Sequence, residues 1–89
     1  MENRDKQIMT ATFSSHYGAM LTKKRLGDGC ILRPIPRSLS ASCGTCAVTQ
    51  GHTLDEIISS AGEYLEAVYT ENKGRYEKIY EFNPSDKSC

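Results

Sequence analysis

No apolar run in the sequence approaches the roughly 20 residues that a membrane-crossing helix needs. Nothing apolar follows Met1-Glu2-Asn3-Arg4-Asp5-Lys6 to act as an export leader, so a cytoplasmic chain with no membrane partner is expected. Charge of one sign is also missing. Eleven Lys and Arg balance eleven Asp and Glu, which removes the strongly basic surface of a nucleic-acid binder, and no nucleic-acid partner is expected. There is no internal repeat, low-complexity segment, phosphate-cradling glycine loop, paired-carboxylate site or Ser-His-Asp set. A second C-x-x-C and an H-x₃-H are absent as well. No cofactor is therefore expected.

The composition that remains is that of one small globular domain: 89 residues, 38% hydrophobic and 25% charged. A chain of this size buries only about 60–65% of its unfolded surface, enough for one core in two layers. Charge is unevenly placed. Residues 1–46 hold seven cations against three anions, and residues 47–89 hold four against eight. Such halves give either two electrostatic faces or simply two solvated helix faces of opposite sign.

Local patterns predict the elements. Residues 7–13 alternate and are rich in β-formers, giving a first strand. Ser14 and Ser15 are N-cap residues for a helix carrying Tyr17, Met20, Leu21 and Leu26, which closes on Lys23-Lys24-Arg25 and Gly27. Residues 30–35 form a second strand ended by Pro34, residues 36–45 a loop, and residues 46–50 a third strand. Thr53 and Glu56 make a capping box, and Leu54, Ile57, Ile58, Ala61, Leu65, Val68 and Tyr69 form an apolar stripe, predicting a second helix over 54–70. Asn72-Lys73-Gly74 turns the chain into a final strand over 76–82. The expectation is an α+β, ferredoxin-like βαββαβ domain over 7–83, with a four-stranded antiparallel sheet and two helices on one face. Residues 1–6 are expected to fray, and 84–89 to form a flexible tail carrying Cys89 as a bystander.

Four cysteines (Cys30, Cys43, Cys46, Cys89) are many for a chain with no export signal. Cys43-Gly44-Thr45-Cys46 is the constellation with a chemical reading. Disulfide exchange of the thioredoxin type needs a helix opening at the first thiol, whereas a strand pattern follows here, although a redox pair on another fold stays open. Metal binding needs about four ligands, and only Cys30, His16 and His52 are available to join the pair. A single nucleophilic cysteine holding a sulfur or selenium atom is the third reading. A plain packing role for both thiols is the fourth. Arg37, six residues before Cys43 in the same loop, is a cation suited to lowering a thiol pKa. The loop itself predicts a solvent-reachable Cys43. His16 and His52 read as exposed and turn-shaping, and the tyrosines at 64, 69, 76 and 80 as packing residues.

Phe13-Ser14-Ser15-His16, the helix start Ala19-Met20-Leu21, and Leu32-Arg33-Pro34-Ile35-Pro36-Arg37-Ser38-Leu39-Ser40-Ala41-Ser42-Cys43-Gly44 together resemble the Se/S carrier protein-like family of small bacterial domains. The resemblance covers residues 8 to about 80. Its most specific piece is Pro34-x-Pro36-Arg37 followed by Ser42-Cys43-Gly44. It implies a carrier, not a turnover enzyme, with the chalcogen held on Cys43 as a persulfide or selenosulfide. Arg37 would be its electrostatic neighbour, and Ser42 and Gly44 would flank the adduct. The implied partners are a donor protein of the cysteine desulfurase type and an acceptor protein, with a homodimer as a compatible assembly. Two positions depart from the family pattern. Cys46 stands where an apolar strand residue is expected, and Thr22-Lys23-Lys24 where an acidic residue usually precedes the lysine. A resolving thiol at 46 would expel the carried sulfur and close a disulfide. A carrier therefore predicts that the two sulfur atoms point apart, with Cys46 turned into the core. The alternatives are a thiol-disulfide redox protein using Cys43 and Cys46, and a non-catalytic interaction module.

Overall fold

Ile8–Phe13 forms β1, the middle strand of the sheet in a computed structural model that describes residues 8–39 and 41–82. The expectations for residues 1–7, Ser40 and 83–89, including Cys89, lie outside the described residues. The other elements are α1 (His16–Leu26), β2 (Cys30–Pro34), β3 (Thr45–Gln50), α2 (Leu54–Ala61), β4 (Leu65–Asn72) and β5 (Arg75–Glu81). The strands lie in the order β2-β3-β1-β4-β5, and every neighbouring pair is antiparallel. No helix among the described residues is long and apolar enough to cross a membrane.

The expected α+β class holds, but the sheet has five strands where the sequence pattern predicts four. The correction falls on residues 62–70, expected as the end of the second helix and found as a 3-10 turn (Gly62–Tyr64) followed by β4. Two features account for it. Gly62 adopts φ 59°, in the left-handed region, and its N–H closes α2 on the Ile58 carbonyl. Beyond it, β4 carries a bulge: Thr12 pairs with Ala67 and Phe13 with Leu65, so Glu66 has no partner on β1. The extra residue brings Leu65 and Val68 onto one face although they are three apart. In the sequence that spacing imitates a helix.

Alternation along the strands divides the sheet into two faces. Met9, Ala11, Phe13, Cys30, Ala47, Leu65 and Val68 join Ala19 of α1 and Ile57 and Ala61 of α2 in the core, so both helices cover the same face. Arg25 ties them by donating from Nη1 to the Ser60 carbonyl at 3.1 Å. The capping box at the start of α2 is formed in both directions, Glu56 N–H to Thr53 Oγ1 at 3.1 Å and Thr53 N–H to Glu56 Oε1 at 2.9 Å.

Helix α1 turns a different side to the core from the one its large residues suggest. Gly18, Ala19 and Thr22 are buried, while Tyr17 and Met20 are 58% and 52% exposed. The cause is close approach. A Cβ at Gly18 would overlap the Tyr64 side chain and crowd the Phe13 ring. Thr22 is accommodated because its hydroxyl donates to the Gly18 carbonyl at 2.9 Å. Gly18→Ala should therefore lower stability by about 1–3 kcal/mol through overpacking, despite the better helix propensity of Ala. Urea unfolding of the two proteins measures it, and an equal or higher midpoint in the variant would contradict the packing.

Candidate functional site

The face of the sheet without helices carries Thr10, Thr12, Cys46, Val48, Ala67 and Tyr69, placed there by the register of β1 with β3 and β4. Thr10, Thr12 and Cys46 are nonetheless buried. The connection between β2 and β3 lies against this face: Ala41 and Ser42 line one groove with Thr12 and Ala67, and Leu39 lines another with Tyr69 and Tyr76. The connection is closed at its base by Ile35 N–H to the Gly44 carbonyl, 2.9 Å, and turned by Leu39 N–H to the Pro36 carbonyl, 3.1 Å.

Cys43 lies near the end of this connection and is only 9% exposed, a correction to the solvent-reachable thiol expected from its loop. The connection folds back on the sheet instead of projecting from it. Ser42 is the reason: its main-chain N–H meets Glu66 Oε1 at 3.1 Å and its hydroxyl meets Glu66 Oε2 at 2.6 Å. On the other side of Cys43, the Thr45 N–H donates to Sγ at 3.3 Å. Thr45 Oγ1 in turn lies 3.2 Å from His16 Nδ1 at the start of α1. Gly44 is exposed, with open space where a Cβ would be.

Cys46 is buried, but against the open face of the sheet and not in the core under the helices. Both thiols thus belong to the same side of the molecule, and they are free cysteines. Cys46 Sγ points toward the Pro34 carbonyl at 3.8 Å. Burial pushes its thiol above the ordinary value of 9.0, the Arg33 guanidinium draws it down, and the proximity of Cys43 pushes it up again. The cation at this thiol is Arg33. Arg33 is the cross-strand partner of Cys46 in the β2–β3 pair, whereas Arg37 is exposed, with no bond to Cys43 among the described residues.

A cleft of about 400 Å³ opens beside Cys46, lined by Arg33, Pro34, Pro36, Glu71 and Tyr76. The Tyr76 phenol is held above its ordinary value of 10.0, first by burial and then by Glu71 and Cys46, against the opposing pull of Arg33. It therefore stays a hydrogen-bond donor at neutral pH. The residues named as candidate metal partners do not converge. Cys30 is in the core under the helices, and His52 packs beside Gly29. Among the described residues no group of three or more His, Cys, Asp or Glu is placed to hold a metal ion.

Sequence reasoning missed Arg33 and Glu66. Alternation along β2 puts Arg33 outward once Leu32 faces the core, but its pairing with Cys46 needs the register across the loop. Glu66 gave no signal, because residues 54–70 read as one helix.

The model of the family described as "Putative Se/S carrier protein-like" matches residues 9–81, and the chain belongs to that family. No match was found among curated proteins or among solved structures.

Cys30 and Cys46 make stability depend on pH in a defined direction. Burial raises both thiols above 9.0, offset in part by Lys23 for Cys30 and by Arg33 for Cys46. The folded state holds these protons more tightly than the unfolded chain. The stability they contribute is complete below pH 9.0 and is lost as pH rises through the raised folded values. Denaturation midpoints measured from pH 7 upward should fall above that point, and less steeply in Cys46→Ala.

Proposed function

We propose that the protein carries sulfur or selenium on Cys43 as a persulfide or selenosulfide and delivers it to an acceptor protein. The observation that supports this most is the way the β2–β3 connection presents Cys43, with Ser42 fixed on Glu66 and the Thr45 amide on Sγ. Membership of the family adds to it. In loading, the Cys43 thiolate attacks the outer sulfur of a donor persulfide. A new S–S bond forms, the donor S–S bond breaks, and its electron pair leaves on the donor thiolate, so no external oxidant or reductant is consumed. A donor protein of the cysteine desulfurase type supplies such a persulfide. Delivery is the same step in reverse sense, with an acceptor thiolate attacking the outer sulfur.

Cys46 bears on whether the cargo survives. Attack by its thiolate on the inner sulfur of a Cys43 persulfide would release hydrosulfide and leave a Cys43–Cys46 disulfide. Burial keeps Cys46 protonated at neutral pH, and a thiol is a far weaker nucleophile than a thiolate. That protonation is what spares the persulfide. The C-x-x-C spacing of Cys43 and Cys46 is what favours a thiol-disulfide function as the second reading.

Intact-mass measurement after incubation with a persulfide donor separates the two. For a carrier, the wild type and Cys46→Ala both gain one sulfur at pH 7, and Cys43→Ala gains none. If only Cys46→Ala retains the adduct, while the wild type ends two hydrogens lighter than the reduced protein, the redox function replaces carriage. Arg33→Ala should slow alkylation of Cys46 severalfold at pH 9, because the guanidinium that draws the thiol down is gone. Peptide mapping of the alkylated protein reads that rate.

A further inference from the structure

We infer that Glu66 is the latch of the cysteine loop, a positioning residue whose carboxylate sets how readily Cys43 exchanges sulfur. The inference rests on the carrier reading for its consequence but on separate geometry for its cause. The β-bulge leaves Glu66 unpaired with β1 between the pairs Phe13–Leu65 and Thr12–Ala67. A bulge re-aims the side chain it carries. Here the carboxylate reaches the β2–β3 connection, and Glu66 itself is pinned by Phe82 N–H donating to its carbonyl at 2.9 Å.

Both carboxylate oxygens are used on one residue. Oε1 takes the Ser42 main-chain N–H at 3.1 Å and Oε2 takes the Ser42 hydroxyl at 2.6 Å. Hydrogen bonds to an ionised acceptor are roughly twice as strong as neutral ones. The loop's other hydrogen bonds, Ile35 to Gly44 and Leu39 to Pro36, stay within its own hairpin. Among the hydrogen bonds of the described residues, the Ser42–Glu66 pair is what ties the loop to β4, one residue before Cys43. With the latch closed, Cys43 is 9% exposed. Opening it exposes the sulfur to donors and acceptors, and equally to adventitious nucleophiles. The latch thus trades speed of loading against retention of cargo.

The full-length chain tests this with two readouts at pH 7. The first is the iodoacetamide alkylation rate of Cys43, mapped by peptide, with Cys30 as an internal monitor of global unfolding. The second is cyanolysis of protein loaded with glutathione persulfide. Cyanide attacks the outer sulfur, the S–S bond breaks with its electron pair on Cys43, and thiocyanate is released and counted. Glu66→Ala should raise both Cys43 rates about tenfold or more while Cys30 stays slow. Glu66→Gln, which keeps one acceptor oxygen, should restore part of the protection. Ser42→Ala, which keeps the main-chain bond, should fall between, and adding it to Glu66→Ala should change nothing further. Unchanged Cys43 rates in Glu66→Ala overturn the latch. So does a parallel rise at Cys30, which means global unfolding. Should the wild type take no sulfur on Cys43, the carrier reading fails, and the alkylation rates still decide the latch.

Discussion

β1 is buried on both faces, and the rest of the molecule is arranged by that double burial. Met9, Ala11 and Phe13 turn to the helices while Thr10 and Thr12 turn the other way, and all five are nearly inaccessible. A strand in this position has to pair on both edges, which it does with β3 and β4. It also needs cover on both faces. The helices provide one cover, and on the other the β2–β3 connection shares a groove with Thr12 while Tyr69 stands beside Thr10 in register. The cysteine loop is thus part of the fold's packing. That is why a loop residue such as Cys43 ends up buried.

The same cover sets the chemistry of the thiols. Cys46 sits beneath it, desolvated and opposite Arg33, so burial and a cation act on it in opposite directions and burial prevails. Desolvation disfavours the charged form wherever water is excluded, while an arginine at a sheet edge remains partly hydrated and its field is screened. A second thiol close to a carrier cysteine endangers the cargo only when it ionises.

Much of the local structure was legible. Ser15 as the N-cap of α1, Gly27 as its stop, the reciprocal Thr53–Glu56 box, Pro34 at the end of β2 and the Lys73–Gly74 turn all stand where the residues predicted them. Each depends on groups within four positions along the chain. The stretch after Gly62 was misread because a bulge turns a strand's two-residue period into a three-residue one for a single step, and Leu65 and Val68 then fit the helical stripe of α2. The stripe on α1 was misassigned for a related reason. Gly18 meets Tyr64 and Phe13, contacts made through the tertiary fold, so the face with the smallest residues is the one that packs.

The site divides in the same way. The sequence alone determined that Cys43 lies in a Ser- and Gly-containing connection after Pro34-Ile35-Pro36-Arg37, because this is a short-range pattern of residue types. It also determined that Cys46 lies on a strand, which starts one residue earlier than its pattern predicts, at Thr45. Tertiary structure decided that Arg33 is the neighbour of Cys46, since cross-strand pairing follows the register of β2 on β3. It decided that both thiols share the helix-free side, and that Glu66 holds Ser42 across 24 positions of the chain. Contacts at such separations come from the closure of the sheet around β1, where backbone pairing and burial choose the neighbours, and no local pattern of side chains records that choice.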